Sequence, residues 1–453
     1  MIDVLILVAL VAAIVYTTAK LKISPFIALI GAAIIGGFAF RLPTADIVPT
    51  ILTSFGNTMG NIGLVILFGT MIGLVLERSG GAISMADALI KVLGTRFPNL
   101  TMSVIGYIVA IPVFCDSGFI ILNSLRKAIA VRAKVSPVGM AVALMTGLYA
   151  THTMVPPTPG PLAAAGELGV IEDLGLVIGL GLPIAAVAAG AALLFASTLR
   201  RKSFELLPKS SEEPELDQSY EELRASYGSL PPASLAFLPI LVPILLICLA
   251  SFGNLPSAPF GEGTLLTALE FVGSPSIALI IGFALGVLLL KGHGRLEQFN
   301  DTVTGSIGVA APILLITAAG AAFGGVLGAS ELTGFIADNL STLGLGVFVP
   351  FLIAAALKTA QGSSTVAIIT TAALVAPMLE SLGLGETLGA VLTVFAIGAG
   401  AMVVSHANDS YFWVVSQLSR IPVATAYRTL TLATAIEGVA AMLATWVVSL
   451  IVL

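Results

Sequence analysis

Thr151-His152-Thr153-Met154-Val155-Pro156-Pro157-Thr158-Pro159-Gly160-Pro161 lies between two apolar flanks, 138–150 and 162–170, each too short to cross a bilayer alone. Its four prolines in seven residues stop a helix, because proline lacks the N–H and clashes with the preceding turn. Backbone that leaves the helix at membrane depth is tolerated only inside protein or beside a watery cavity. The reading is a broken helix rather than an ordinary surface loop. Cys115-Asp116-Ser117-Gly118 precedes this string. The second half of the chain carries a matching pair, Lys358-Thr359-Ala360-Gln361-Gly362-Ser363-Ser364-Thr365 and Ser405-His406-Ala407-Asn408-Asp409-Ser410. Paired breaks in two halves point to a substrate site near the midplane of a secondary transporter.

Composition sets the frame. The chain is 57% hydrophobic and 10% charged, with a mean hydropathy of +1.06. Soluble domains carry roughly 25% charged residues, so this is a polytopic membrane protein. The net charge of -5 says little, because topology follows the placement of Lys and Arg. Two cysteines, Cys115 and Cys248, exclude a disulfide scaffold or a Cys-rich zinc module. Residues 2–19 lack a basic n-region and read as a retained first helix. There is no P-loop, no short metal-ligand motif and no nucleophile motif. No enzyme activity, cofactor or nucleic-acid partner is expected.

Candidate spans fall at about 2–19, 23–40, 61–77, 137–165, 174–199, 235–252, 276–290, 304–328, 387–418 and 429–452. Two more apolar stretches, 100–127 and 345–380, are interrupted by polar residues. Their leading arms, 100–115 and 345–357, reach roughly 20–24 Å, short of a ~30 Å core. Both read as re-entrant hairpins. With the N-terminus outside, every Lys and Arg falls inside except Arg41 and the hairpin-tip Lys358, as the positive-inside rule asks. Charge alone does not distinguish a hairpin from two true spans. The C-terminus is also outside. The expected fold is all-α, with two inverted repeats of five spans plus a re-entrant hairpin each, and broken helices at the midplane. The repeats cover 1–199 and 231–453. Residues 200–230, with twelve charged positions of 31, read as a cytoplasmic linker. Two amphipathic stretches, 82–94 and 331–343, have the spacing of helices lying in the interface.

Candidate site residues follow from these strings. At the hairpin tips, Ser117, Gly118, Gly362, Ser363, Ser364 and Thr365 are placed to cap an apolar arm and leave N–H groups for a carboxylate. Thr151, His152, Thr153 and Thr158 are partners for the groups freed at the proline break. Asp116, His152, Lys358, His406 and Asp409 are ionisable at membrane depth, which costs several kcal/mol each unless paired or hydrated. Asp116, His152, His406 and Asp409 are the expected proton carriers. His406 and Asp409, three apart, would share a face of a helix. Lys358 either attracts the anion or balances an Asp. Asn123 and Asn408 are expected to recognise hydroxyls.

On these strings, together with Gly362-Ser363-Ser364-Thr365-Val366-Ala367 and Phe412-Trp413, the chain resembles the gluconate permease (GntP) family of organic-acid symporters over nearly its whole length. The resemblance implies proton-coupled uptake of a sugar-acid anion across a bacterial cytoplasmic membrane, within the ion-transporter superfamily. It also implies a homodimer whose protomers divide into scaffold and transport parts and work by an elevator motion. On that logic the scaffold is about 1–99 and 231–343, and the mobile part about 100–199 and 344–453. Gluconate-type members carry Tyr-Glu where this chain has Cys115-Asp116. The shorter acid leaves room for a different polyol tail or moves the proton site, so glycerate or a four-carbon aldonate fits as well as gluconate. Sodium coupling and an anion channel are the alternatives.

Overall fold

The computed structural model describes residues 2–208, 220–253, 260, 263–290, 294–330, 346–407 and 409–453. Among these the structure is all-helical, without a strand. In the first half, α1 (Ile2–Val15), α2 (Pro25–Ala39) and α3 (Thr44–Arg78) lead to α4 (Gly81–Leu93). They are followed by α5 (Pro98–Val109), α6 (Cys115–Ala133), α7 (Pro137–Met154), α8 (Pro159–Glu167) and α9 (Leu174–Thr198). A short α10 (Tyr220–Ser226) lies in the linker. The second half runs α11 (Ala233–Gly253), α12 (Thr264–Gly273), α13 (Pro275–Val287) and α14 (Arg295–Gly328). It continues with α15 (Phe348–Gln361), α16 (Ser364–Val375), α17 (Thr387–Met402) and α18 (Ser410–Leu418). A turn of helix at Val423–Ala426 then runs through a π-turn into α19 (Leu432–Val452).

Six described helices are long and apolar enough to cross a membrane, or seven if α12 and α13, bent by 66°, form one span. Three expected spans have different bounds. The stretch at 61–77 is the second half of α3, a helix of 35 residues. At 1.5 Å per residue it is about 52 Å long, well beyond a ~30 Å core. The stretch at 304–328 is likewise the end of the 34-residue α14. Polar positions such as Asn57, Asn61, Gln298 and Asn300 dilute the hydropathy at the N-terminal ends of these helices without stopping them. The expected 276–290 span is preceded by α12, and Pro275 starts α13 with its ring where no helical N–H is required.

α3 and α14 pack side by side, with α2 against α14 and α13 against α3. The proline-break helix α8 packs on α3 and on α16, and α16 packs on α14. Glycines permit these close approaches. A Cβ at Gly73 would sit 2.4 Å from the Pro112 carbonyl oxygen, and one at Gly324 would sit 2.5 Å from that of Ala373. The 18-residue window within α7–α8 is wholly buried, whereas only 33% of the α11 window is. Leu241, Leu245 and Leu249 of α11 and Leu450 and Ile451 of α19 form exposed apolar surface, as expected of lipid-facing helices.

The amphipathic stretch at 82–94 is α4, with Ile83 and Ala86 buried. Ser84, on its expected polar face, is covered, and its hydroxyl donates to the Pro231 carbonyl at 2.8 Å. The stretch at 331–343 lies outside the described residues. The linker docks on α4. The Tyr220 hydroxyl donates to the Asp87 carboxylate, and Arg224 lies 3.9 Å from it. Burial and the neighbouring Asp87 push the Tyr220 phenol above its ordinary range, so it stays a donor. A hydrogen bond of this kind is worth about 1 kcal/mol. Tyr220→Phe is expected to speed tryptic cleavage in the linker by about fivefold while transport stays near wild type. Limited proteolysis timed against uptake checks this.

Candidate functional site

α7 ends where the sequence demands. Val155 is extended, as a residue before proline prefers, and Pro159 opens α8 at its first helical position. The expected hydroxyls are used locally. Thr158 donates to the Val155 carbonyl at 2.7 Å, Thr153 to that of Tyr149 at 3.0 Å, and Thr151 to that of Tyr107 on α5 at 2.9 Å. His152 is buried beside the Phe114 ring, 5.8 Å between centroids, and its Nδ1 has no partner.

The second break builds a buried ion pair. Lys358 Nζ lies 2.6 Å from Asp409 Oδ2 and also donates to the Gly362 carbonyl. Asp409 accepts from the Ser405 hydroxyl at 2.5 Å and caps α18 by accepting from the Tyr411 N–H at 3.0 Å. Lys358 therefore balances an Asp, the second of the two expected roles. His406 and Asp409 do not share a helical face, because residues 404–406 are outside helix and Asp409 is the N-cap of α18. His406 Nε2 instead meets the Thr359 carbonyl at 2.8 Å. Asn408 lies outside the described residues.

The hairpin tips differ from each other. Ser363 caps α16 as expected, accepting from the Val366 N–H at 3.3 Å. Ser117 and Gly118 cap nothing. α6 begins at Cys115, so they occupy its first turn. Ser117 reaches the Glu77 carboxylate, and Gly118 makes room for Leu148, which a Cβ there would meet at 2.6 Å. The side-chain oxygen of Asn123 takes two bonds from the buried Arg126, at 3.1 and 2.7 Å. Asp116 keeps the looser carboxylate, with Ser410 Oγ at 3.5 Å and Cys115 Sγ at 3.6 Å.

Four helix N-termini thus assemble in cross-half pairs. Ser410 of α18 meets Asp116 of α6, and a Cβ at Gly160 of α8 would lie 3.9 Å from the Thr365 Cα of α16. Lys358 links the start of α16 to the start of α18. Such termini carry free N–H groups and partial positive charge, which suits a carboxylate. Two tyrosines absent from the expected set stitch the halves. The Tyr149 hydroxyl donates to the Ala401 carbonyl at 3.2 Å, and the Tyr411 hydroxyl to that of Met145 at 3.0 Å. Their rings lie 5.3 Å apart, and Lys358 Nζ is 5.7 Å from the Tyr149 centroid. A tyrosine close to each break, Tyr149 in the last turns of α7 and Tyr411 in the first turn of α18, was the readable signal. Glu437, the only ionisable side chain of α19, is also absent from that set.

A family model described as GntP family permease matches residues 2–451. A gluconate permease of Pseudomonas aeruginosa is 32% identical over 94% of this chain and 92% of its own. The D-serine transporter DsdX of Escherichia coli is 31% identical over 97% and 96%. These relatives are a permease and a transporter, not enzymes. The crystal structure of the YdaH transporter from Alcanivorax borkumensis aligns with a TM-score of 0.64 over 90% of each chain, at 14% identity, a likeness of fold.

Proposed function

The chain belongs to the GntP permease family, and from that premise we propose that it is a secondary active importer of a small hydroxylated carboxylate, driven by protons. The observation that carries this reading is the meeting of four helix N-termini around the Lys358–Asp409 pair. The first-turn N–H groups of α6, α16 and α18 and the Gly160 N–H of α8, with Ser363, Ser364 and Thr365, bind the substrate carboxylate. Lys358 is held by Asp409, so it ties the second hairpin tip to the second break rather than neutralising the anion. Of the four expected proton carriers, Asp116 is the best placed, because its carboxylate is held only at long range. Gluconate and D-serine, named for two relatives, both join a carboxylate to a hydroxyl group, which widens the substrate screen beyond glycerate and four-carbon aldonates.

The two runs α1–α9 and α11–α19 pass through corresponding elements, which supports an inverted repeat. α3 answers to α14, the α5–α6 hairpin to α15–α16, α7–α8 to α17–α18, and α9 to α19. The carrier works as an elevator in a homodimer of the bacterial cytoplasmic membrane, with both termini outside. Residues 1–99 and 231–343 form the scaffold, and 100–199 and 344–453 move. Crosslinks that lock these parts together stop transport on this reading.

Labelled gluconate, glycerate and D-serine are taken up by proteoliposomes under an imposed pH gradient, with and without sodium. Accumulation of at least one acid is expected without sodium, and a protonophore abolishes it. Accumulation only with sodium would overturn the proton assignment. Conduction without counterflow would make the protein a channel.

A further inference from the structure

Glu437 is fully buried in α19, and neither carboxylate oxygen has a hydrogen-bond partner. Gly438 beside it lets α19 approach α17 closely, since a Cβ there would sit 2.6 Å from the Ala399 carbonyl oxygen. One turn earlier, Thr434 accepts from the Ser405 N–H at 3.2 Å. Ser405 in turn donates its hydroxyl to Asp409 at 2.5 Å. Glu437 is therefore on the helix that supports the second break.

Among the described residues, the surroundings of Glu437 hold no cation for it. α9 and α17, both packed on α19, carry no ionisable side chain. The π-turn before α19 carries Tyr427 and Arg428, both exposed. α7 brings His152 and Tyr149, and Tyr149, like Tyr411 of α18, lies within electrostatic reach of Glu437. The hydroxyls of both tyrosines are already given to backbone carbonyls. Lys358, whose ammonium is buried, is committed to Asp409 and Gly362. An ionised carboxylate in such a place is strongly disfavoured, whereas a protonated one is tolerated.

Building on the proton-driven reading above, we infer that Glu437 is a proton-binding site of the transport cycle, additional to Asp116. Its carboxylate takes up one proton when water reaches the break from one side, is neutral while the substrate-loaded site is enclosed, and is without that proton when the empty carrier returns. It returns the proton when the site opens to the other side. The substrate anion and the fixed Lys358–Asp409 pair are unaltered by that step, so one positive charge moves with each proton bound here.

Glu437→Gln mimics the protonated acid and removes the titration. One coupled proton under a gradient of about one pH unit supports about tenfold accumulation. The inference expects the accumulation ratio of E437Q to fall by that factor of about ten, with substrate counterflow slowed less than about threefold. Wild-type accumulation equal to that of E437Q overturns it. So does the loss of counterflow in E437Q protein that elutes as a single monodisperse species, which would make Glu437 structural. If E437Q does not reconstitute, Glu437→Asp carries the test. An altered pH profile of uptake is expected, and an unaltered one overturns the inference. A wild type that does not respond to the pH gradient would instead sink the proton-driven reading itself. Proton uptake by the wild type on adding substrate, followed with a pH dye and lost in E437Q, supports the site independently of transport.

Discussion

Lys358→Met lowers stability by about 3–5 kcal/mol, because it leaves Asp409 buried without its counter-charge. Ser405 and the Tyr411 N–H remain on Asp409, but neither carries charge. The loss reaches further than the pair, since Lys358 also holds the Gly362 carbonyl at the start of α16. Uptake therefore falls by about a hundredfold or more, the cost of about 3 kcal/mol in the geometry of two helix N-termini. Thermal unfolding in detergent and uptake into proteoliposomes measure the two effects. The double variant K358M/D409N separates them. It recovers most of the stability, because no charge is left unpaired, but not the transport, because the Gly362 carbonyl and the tie between α16 and α18 stay unsupported. A K358M protein as stable as wild type would show that water already screens the pair.

Gly73→Val halts transport with a smaller effect on folding. Its Cβ would stand 2.4 Å from the Pro112 oxygen, a distance no real contact permits, and that oxygen is backbone that cannot rotate away. The tip between α5 and α6 must shift, at about 1–3 kcal/mol for overpacking of this kind. On the elevator reading α3 is fixed and the tip moves past it, so the added methyls block the path as well as the resting contact. Accumulation is expected to fall by about tenfold or more, and Gly324→Val, against Ala373 in the other half, behaves alike. Gly60→Val is the control, on the same helix with nothing within 4 Å of its Cβ. Its stability and uptake stay close to wild type, within about 0.5 kcal/mol. Normal uptake by G73V would mean that α3 and the hairpin tip separate easily or never slide.

The first break was legible because proline acts locally. Pro156 and Pro157 end α7 at Val155, and Pro159 and Pro161 are accommodated only in the first turn of α8. Ser363 was legible for the same reason, since capping involves only its own turn. The start of α6 was not, because Cys115 rather than Ser117 begins it and no side chain marks the boundary. Lys358 and Asp409 are 51 residues apart, and only tertiary packing could choose between an anion-binding and a charge-balancing lysine. The pairing of Asn123 was not legible because its partner Arg126, one turn away, reads as a cytoplasmic charge but is buried. The length of α3 was hidden by its polar N-terminal half and by Pro49, which the helix contains.

The seven residues that stop the helix at Val155 lie on a segment, α7–α8, whose central window is enclosed on every side by other helices. The acyl chains of the membrane never touch it. A greasy blocker dissolved in the bilayer has no lateral door to the break and can reach only the outer surfaces of helices such as α11 and α19. On the transport reading, an inhibitor of the break arrives through water. A change of lipid acts on the outer helices before it is felt at the binding strings.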